Sequence, residues 1–330
     1  MKNQKKTIFS GIKPSGSLHL GNYLGAISQW LELQKEYNCI FCVVDYHAIT
    51  VAQNPIELQK SIIDIAKVYL AAGLDPKKNI IFQQSDLSEH TELAWILNTV
   101  ARMSELNKMT QYKDKAFGKK EENIGVGLFD YPVLMASDIL IYDTNLVPVG
   151  DDQLQHVELA RELARRFNKN FGETFIIPEA KVKKESARIM GLDDPQKKMS
   201  KSAGSEYNYI ALNEDLEKAK KKIMRAVTDS GEGIVYDLEN KPAISNLLTI
   251  YSLLSKKSIS ELESQYVGKG YGDFKRDLAD VVVSFLSDFQ SRYNKISDAK
   301  VKKILSRGAK RARTLAQKKL KVVKRNIGVN

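Results

Sequence analysis

The sequence predicts an α/β protein in which a doubly wound parallel sheet is followed by an all-helical part. Up to about residue 204, short apolar runs of strand length alternate with helical patterns. Such alternation requires crossover connections, and these produce a parallel sheet with helices on both faces. After about Asn213 the helical periodicity continues but strand signals become rare. The predicted strands are Thr7–Ile12, Cys39–Asp45, Ile80–Gln84 and Leu146–Val149.

Local signals place the helices between these strands. Asn54 and Pro55 predict the start of one helix, because asparagine side chains cap free backbone amides and proline suits the first turn. Gly73 predicts where that helix ends, since glycine readily adopts the left-handed conformation found after helices. Further helical patterns run from about Gly21 to Glu36, through Trp95, and over Gln153–Arg166.

Composition excludes several classes of protein. The 330 residues are 43% hydrophobic and 28% charged, which is typical of folded proteins and too apolar for disorder. No apolar run reaches the roughly 18 residues that a membrane span needs, so no membrane association is expected. Two cysteines cannot form a disulfide framework, which indicates the reducing cytoplasm. Cys39 and Cys42 lie in a predicted strand without a second pair, so no protein-bound metal is expected.

The positive charge is concentrated at one end of the chain. The net charge is +11, yet residues 1–300 contain 40 basic and 40 acidic side chains. Residues 301–330 contain 11 lysines and arginines and no acidic residue. Apolar residues recur there at helical spacing, which predicts an amphipathic helix over 301–325. Its apolar face should pack against the protein, and its basic face should point outward, either toward a polyanion or only into solvent.

The first candidate site is the segment Pro14–Asn22, which follows the first predicted strand. A strand, a glycine-containing turn and a helix start bring free backbone amides and the helix dipole together, and this arrangement favours anions. His19 and Asn22 add side-chain donors on the first turn, and Gly21 leaves room for a flat ligand. An ordinary strand–helix turn with an exposed histidine would give the same pattern. The sequence contains no Walker A motif and no Gly-x-Gly-x-x-Gly.

The second candidate site is the lysine-rich segment Lys197–Gly204. Lys198 and Lys201 lie three residues apart among small polar residues, which suits a loop that folds over phosphates. Their ammonium groups would neutralise the charge that develops on a departing pyrophosphate. A solvated basic linker is the alternative interpretation.

Together, the two segments resemble the HIGH and KMSKS motifs of class I aminoacyl-tRNA synthetases. Lys198–Ser202 reads KMSKS letter for letter, and His19–Asn22 reads HLGN, with Asn22 in place of the second histidine. Other segments are similar to bacterial tryptophanyl-tRNA synthetases, and this similarity extends over nearly the whole chain. These segments include residues 10–16, 130–140, 147–161 and 187–190.

The resemblance implies an ATP site, a tryptophan site and a set of catalytic residues. The residues implied in ATP binding are Lys13, Pro14, Ser15, Gly21, Asn22, Gly150, Asp151, Asp152, Ile189, Lys198, Met199, Ser200, Lys201 and Ser202. Those implied in tryptophan binding are Asp138, Tyr131, Met135, Val147, Val149, Gln153, Phe9 and His47. The implied catalytic residues are His19, Asn22, Lys198, Lys201 and Lys115. The family most often has glutamine at the position of Lys13, so this chain carries an additional charge near the phosphates.

Asp138 is the residue that would select tryptophan, because its carboxylate would accept a hydrogen bond from the indole N–H. The apolar residues around it, between Val133 and Ile141, predict that this carboxylate is buried. A buried acceptor disfavours phenylalanine, which has no donor to pair with it, and such a site can discriminate by roughly 10⁴–10⁵. His90, in contrast, is predicted to lie on the surface.

The resemblance also implies an activity and its partners. The chain would be a ligase in which the tryptophan carboxylate attacks the α-phosphorus of ATP, with Mg²⁺ on the phosphates, and the adenylate then acylates tRNA(Trp). A cytoplasmic homodimer is implied. The alternatives are a tyrosyl-tRNA synthetase, a non-catalytic RNA-binding paralogue and a small-molecule nucleotidylyltransferase. The chain would divide into a Rossmann-like catalytic domain over 1–204, a helical tRNA-recognition domain over 205–297 and the basic helix over 298–330.

Overall fold

A five-stranded parallel sheet forms the centre of the first half of the chain. The computed structural model describes residues 5–110, 124–182, 188–231 and 233–329. The strands are hydrogen-bonded in the order β3–β2–β1–β4–β5. The four predicted strands are present with similar bounds, and β5 is an additional strand. Their bounds are β1 (Thr7–Ile12), β2 (Asn38–Val43), β3 (Ile80–Gln83), β4 (Leu146–Pro148) and β5 (Glu179–Lys181).

Helices connect the strands and dominate the rest of the chain. Those of the first half are α1 (Leu20–Asn22), α2 (Ser28–Glu36), α3 (Asp45–Ala48), α4 (Pro55–Ala72), α5 (Glu89–Asn98), α6 (Met103–Leu106), α7 (Val126–Leu140) and α8 (Leu154–Phe171). A π-helical turn, Tyr23–Ile27, joins α1 to α2. Those of the second half are α9 (Leu216–Arg225), α10 (Pro242–Ser255), α11 (Ile259–Gln265), α12 (Tyr271–Asn294) and α13 (Asp298–Ile327). No helix in the described ranges combines the length and the apolar character needed to cross a membrane.

Both faces of the sheet are covered, as a doubly wound fold requires. Successive side chains of a strand point to opposite faces, so neighbouring residues enter different cores. Ile8 and Phe41 enter one hydrophobic cluster together with Trp30. Phe9 and Cys42, one residue further along each strand, enter the other cluster. This arrangement confirms the predicted fold class.

The predicted end signals of α4 are both used. The Asn54 side-chain oxygen accepts hydrogen bonds from the backbone N–H groups of Ile56 at 2.9 Å and Glu57 at 3.2 Å. Gly73 closes the helix with a φ of 112°, in the left-handed region that favours glycine. Local sequence therefore determines where this helix begins and ends.

The helices of the second half share a core with the sheet. Leu247, Phe274 and Val282 belong to the same hydrophobic cluster as Ile8 and Phe41. Residues after 205 therefore pack directly against the first half of the chain. The division of the chain near residue 204 stays a prediction.

The C-terminal helix α13 crosses the edge strand β3. It confirms the predicted amphipathic helix and extends a few residues beyond the expected bounds at each end. Leu305 enters the first hydrophobic cluster and Ala312 the second, so the helix passes from one face of the sheet to the other. Gly308 lies at the crossing, where an added Cβ would be 1.8 Å from the carbonyl oxygen of Ile81. The helix thereby covers an edge that could otherwise pair with another chain.

Several cations of α13 do not point outward, which corrects the prediction of a wholly outward basic face. Lys319 donates to the carbonyl oxygen of Thr174 at 2.7 Å, and Lys324 contacts the Glu92 carboxylate at 2.9 Å. Arg311 donates at 2.7 Å to the carbonyl oxygen of Asn79, which precedes β3. The exposed cations are a separate set, which contains Lys302, Lys303, Arg307, Lys310, Lys318, Lys321 and Arg325.

Candidate active site

A cleft of about 840 Å³ opens at the carboxyl end of the sheet. β1 and β4 are neighbours there, and the strand order reverses between them, which is where open α/β sheets bind ligands. Both segments singled out in the sequence reach this cleft. The predicted site residues that line it are Phe9, Lys13, Ser15, His19, Asn22, His47, Tyr131, Met135, Asp138, Val147, Val149, Gly150, Asp152, Gln153, Lys198, Ser200 and Lys201.

The segment after β1 forms a tight turn and then a helix start. The backbone N–H of Ser15 donates to the carbonyl oxygen of Lys13 at 2.9 Å, and Gly16 has a φ of 104°. Because that conformation is strained for residues with a Cβ, the turn depends on glycine. Asn22 Oδ1 then accepts a hydrogen bond from the backbone N–H of His19 at 3.0 Å. The turn and the first helical residues therefore line one end of the cleft as a site for anions.

The imidazole of His19 is buried against this turn and is neutral at physiological pH. Burial, together with the nearby charge of Lys198, lowers the pKa of His19 to about 4. A neutral ring has one N–H donor and one acceptor nitrogen. Within the described part of the chain, Nδ1 of His19 has no hydrogen-bond partner. This nitrogen is buried toward Gly21, so only the rest of the ring lines the cleft.

The lysine-rich loop is anchored by its central methionine. Met199 is buried, and its backbone N–H donates to the carbonyl oxygen of Ile189 at 3.0 Å. The backbone N–H of Ser200 donates to the Asn208 side chain at 2.9 Å. Lys198 and Lys201, on either side of this anchor, line the cleft. Neither of these lysines forms an ion pair with a carboxylate in the described ranges, so both ammonium groups are available to phosphates.

Some residues of the predicted ATP site lie behind the wall of the cleft. An added Cβ at Gly21 would be 3.0 Å from His19 Nδ1 and 3.3 Å from the Met199 Cβ, so this glycine makes room for those two side chains. The side chain of Ser202 and the whole of Lys115 lie outside the residues that the structure describes. The described residues that were predicted for ATP but are not part of the cleft wall are Pro14, Gly21, Asp151, Ile189 and Met199.

Asp138 lies at the far end of the cleft and is the buried acceptor that the sequence predicts. It is 1% exposed. Its Oδ2 is 2.8 Å from His47 Nε2, and its Oδ1 is 2.6 Å from His90 Nδ1. The side-chain amide of Gln84 donates to both oxygens, at 2.8 and 2.9 Å. Burial alone would raise the pKa of this carboxyl, but the hydrogen bonds from the two histidines outweigh burial and lower the pKa to about 2. The carboxylate is therefore ionised at neutral pH and can only accept hydrogen bonds.

Aromatic and aliphatic side chains form the walls beside Asp138. The Tyr131 hydroxyl is hydrogen-bonded to His156 Nε2 at 2.8 Å, which fixes the tyrosine ring. Burial, and then the charge of Asp152, raise the pKa of Tyr131 to about 12, so the hydroxyl stays protonated. The result is a slot with apolar sides and one buried anion, which suits an aromatic ligand with an N–H group. The other wall residues are Phe9, Met135, Val147 and Val149.

His90 does not lie on the surface, and that prediction was wrong. It is fully buried between Asp138 and the Tyr142 hydroxyl, which is 2.7 Å from His90 Nε2. Sequence reasoning also missed Gln84 and His156. The one available signal was rarity, because the chain contains four histidines and all four lie in or beside this site.

The fold and the two motif segments that line its cleft define a class I aminoacyl-tRNA synthetase. The family described as tRNA synthetases class I (W and Y) matches residues 1–287. The chain belongs to this family, whose two letters stand for tryptophan and tyrosine.

Individual relatives are similar over almost their entire length. The tryptophan–tRNA ligase of Bacillus subtilis (strain 168) is 53% identical over 327 residues, which cover 98% of each chain. The crystal structure of tryptophanyl-tRNA synthetase from Mycoplasma pneumoniae is similar with a TM-score of 0.93, 37% identity and 99% of each chain covered. The tryptophanyl-tRNA synthetase of Campylobacter jejuni, complexed with ADP and tryptophan, has a TM-score of 0.82 and 38% identity, with 98% of this chain and 100% of that chain covered.

Proposed function

We propose that this chain is a tryptophan–tRNA ligase, which activates L-tryptophan with ATP and transfers it to tRNA(Trp). One observation carries the proposal: the ionised, buried Asp138 ends an apolar slot in the same cleft as both phosphate-facing segments. The relatives at 52–53% identity, which are tryptophan–tRNA ligases, support it. So does the C. jejuni neighbour, which holds ADP and tryptophan.

Selection of tryptophan rests on a hydrogen bond that other aromatic amino acids cannot make equally well. The indole N–H donates to Asp138, while Tyr131 and Met135 contact the ring. Phenylalanine has no donor, so its binding would leave a buried charge without that partner. Tyrosine has a donor, but on a smaller ring and at a different distance from the amino acid backbone.

Activation needs positioning and charge neutralisation more than proton transfer. The tryptophan carboxylate is already a nucleophile and attacks the α-phosphorus in line with the departing pyrophosphate. Lys198, Lys201 and the amide groups of the turn after β1 stabilise charge on the phosphate oxygens. Neutral His19 supplies an uncharged donor there. The donors at this end of the cleft are cationic or neutral, so Mg²⁺ would be held by the ATP phosphates and water.

Pyrophosphate exchange with each of the twenty amino acids tests the function. We expect tryptophan to support ATP–pyrophosphate exchange, and phenylalanine to be weaker by roughly 10⁴-fold because it lacks the donor that Asp138 requires. Tyrosine should also be weaker by orders of magnitude, because its donor is misplaced. Faster exchange with tyrosine would instead identify a tyrosyl-tRNA synthetase. Exchange with no amino acid would favour the non-catalytic paralogue.

We infer that the enzyme acts in the cytoplasm, where ATP and tRNA are present, and that it works as a homodimer. Three large apolar side chains are exposed on elements that pack together: Trp95 on α5 (73%), Met103 on α6 (68%) and Val126 at the start of α7 (79%). A group of large exposed apolar side chains is typical of a surface that another protein chain covers. Sedimentation equilibrium of the wild type and of Trp95→Ser distinguishes a dimer from a monomer.

The exposed cations of α13 form a stripe that suits the phosphates of tRNA. Residues 303, 307, 310, 318, 321 and 325 follow each other at spacings that keep them on one face of the helix. At 1.5 Å per residue this stripe is about 33 Å long. It lies opposite the buried face that contains Leu305, Ala312 and Leu320. The cations that hold α13 on the protein are not part of it.

Removing charge from this stripe should weaken tRNA binding without affecting activation. We expect Lys310, Lys318, Lys321 and Arg325, all replaced by Gln, to raise the KM for tRNA and to flatten the dependence of affinity on salt. Each lost phosphate contact should reduce the slope of log affinity against log salt by roughly 0.7–0.9. Tryptophan-dependent pyrophosphate exchange should not change, because the stripe lies outside the cleft.

A matched variant removes four exposed lysines from the catalytic half instead. Lys60, Lys77, Lys78 and Lys169 are exposed, and their replacement by Gln changes the net charge equally. An equal loss of salt dependence in this control would show that α13 is not a particular contact surface. An unaltered slope in the α13 variant would leave the stripe as a solvated face.

A further inference from the structure

A fully buried chain of hydrogen bonds leads from the cleft into the protein through Asp138. His90 lies between Asp138 Oδ1, 2.6 Å from its Nδ1, and the Tyr142 hydroxyl, 2.7 Å from its Nε2. His90 is 0% exposed, and its backbone carbonyl accepts a hydrogen bond from Ser137 Oγ at 2.6 Å. Neither His90 nor Tyr142 is part of the cleft wall in the described ranges. Their hydrogen-bonded route to a ligand in the cleft therefore runs through Asp138.

The protons of this chain can be assigned from the charge of Asp138. An ionised carboxylate only accepts hydrogen bonds, so His90 Nδ1 must carry the proton that lies between them. In the neutral ring Nε2 is then an acceptor, and the Tyr142 hydroxyl is its donor. Burial raises the pKa of Tyr142 well above its usual value, so this hydroxyl keeps its proton. Each polar side-chain atom of Asp138, His90 and Tyr142 thereby has a hydrogen-bond partner. The tyrosine selects the tautomer of His90 that donates to Asp138.

The two carboxylate oxygens of Asp138 have different surroundings. Oδ1 bonds the buried His90, whereas Oδ2 bonds His47, which lines the cleft. The Gln84 amide contacts both oxygens and is itself 0% exposed. His90 and Gln84 cannot be displaced by a ligand, but His47 can yield to one or share Oδ2 with it. The buried partners thus orient the carboxylate, and Oδ2 is the oxygen on the cleft side.

We propose that His90 and Tyr142 are specificity-determining positioning residues, which hold the Asp138 carboxylate so that Oδ2 can accept an N–H from a heteroaromatic ligand. The proposal rests on the proposed function, because it explains how Asp138 recognises the indole. Without His90, Oδ1 would keep only the Gln84 amide, which it shares with Oδ2. The carboxylate could then rotate toward His47, and its geometry toward the ligand would relax. Recognition of the N–H would then weaken, while the apolar contacts of the ring would persist.

A pair of ligands that differ only at the N–H tests the proposal. Tryptophan is compared with its benzothiophene analogue, in which sulfur replaces the indole N–H and the ring shape is retained. Tryptophan is assayed by its KM in pyrophosphate exchange, and the analogue by its inhibition constant against tryptophan. The ratio of the two constants isolates the hydrogen bond, because a general loss of structure weakens both ligands.

Two variants of the protein each remove one hydrogen bond from the row Asp138–His90–Tyr142. We expect His90→Leu to reduce the preference for tryptophan by roughly 10- to 100-fold, the value of one hydrogen bond to a charged group. Tyr142→Phe removes only the hydroxyl and should reduce the preference for tryptophan several-fold. His90→Asn, whose amide N–H can replace Nδ1, should recover part of the preference lost in His90→Leu. Should the leucine variant fail to fold, the Tyr142→Phe result decides alone.

Two controls separate this proposal from simpler explanations. Phe82 contacts the rings of both His90 and Tyr142, at 5.7 and 6.0 Å between centroids, without a hydrogen bond to either. An equal loss of preference in Phe82→Leu would show that packing is responsible and would overturn the proposal. A wild-type ratio of the two constants in both His90→Leu and Tyr142→Phe would overturn the proposal as well. Asp138→Asn is the benchmark, and if it also keeps the wild-type ratio, the proposed role of Asp138 itself has failed.

Discussion

Among the helical glycines that the structure describes, we expect the substitution Gly308→Ala to destabilise the protein most. The new Cβ would lie 1.8 Å from the Ile81 carbonyl oxygen and 2.6 Å from its carbonyl carbon. Both are backbone atoms of a paired strand, so neither can move aside, and α13 must lift away from β3. Overpacking of this kind costs about 1–3 kcal/mol or more. It outweighs the gain of about 1 kcal/mol from the better helix propensity of alanine. With the clash at the upper end of that range, urea unfolding should show a free energy of unfolding lowered by about 2 kcal/mol.

Gly272→Ala is the matched control for this prediction. Gly272 also lies in a long helix, α12, but no atom within 4 Å would meet its added Cβ. The control should therefore be as stable as the wild type or slightly more stable. A Gly308→Ala protein that unfolds at the wild-type urea concentration would show that α13 docks less closely against the sheet than the structure places it.

Most of the fold could be predicted from local sequence signals. The strands were recognisable because a sheet buried on both faces requires continuous apolar runs, such as the one that contains Phe41 and Cys42. The bounds of α4 followed from Asn54 and Gly73, whose effects on the backbone do not depend on distant residues. The short strand β5 was missed, since three residues carry too little pattern to separate a strand from a loop.

Sequence motifs predicted the segments that line the cleft, but not the side chains that surround Asp138. The cleft contains both predicted motif segments because the carboxyl ends of β1 and β4 meet at one edge of the sheet. The partners of Asp138 were not predictable in the same way. Gln84 and His90 are about 50 residues away from Asp138 in the sequence, and only folding brings their side chains to its carboxylate, with Tyr142 hydrogen-bonded to His90. A histidine near a helix start with polar neighbours has the sequence pattern of a surface residue, yet His90 is buried.

The sequence gives the number of cations in the C-terminal helix. It does not show which of them hold the helix against the protein and which are exposed. All 11 cations of the terminal segment have the same appearance in the sequence. Lys319 and Lys324 differ from Lys318 and Lys321 only in which neighbours the docked helix gives them. Their ammonium groups hold α13 against the catalytic half, so replacing them would disturb stability as well as any contact with tRNA. Charge substitutions that test a partner should therefore be restricted to the exposed set.

The largest effect on activity should come from the two lysines that face the cleft from the KMSKS loop. We expect Lys198→Ala and Lys201→Ala each to lower the rate of adenylate formation by roughly 10²–10³-fold, since each removes a donor from the transition state. Lys198 is close enough to lower the pKa of His19, and Lys201 Nζ lies 3.5 Å from the position that a Cβ of Gly16 would occupy. Both cations therefore lie over the turn where the phosphates would bind. Single-turnover measurements give this rate directly.

Lys197→Ala separates that role from the general charge of the loop. Lys197 is adjacent in sequence, but its ammonium group is paired with Asp194 at 3.0 Å, and it is not part of the cleft wall. Its removal should leave adenylate formation near the wild-type rate, although the net charge falls equally. Tryptophan affinity, measured by equilibrium dialysis, should change little in all three variants, because the amino acid binds at the Asp138 end of the cleft. A charge that acts on the transition state lowers the rate without lowering this affinity, whereas a loop that only orders the cleft would lower both. Wild-type rates for both Lys198→Ala and Lys201→Ala would mean that the loop is a solvated linker despite its position over the turn.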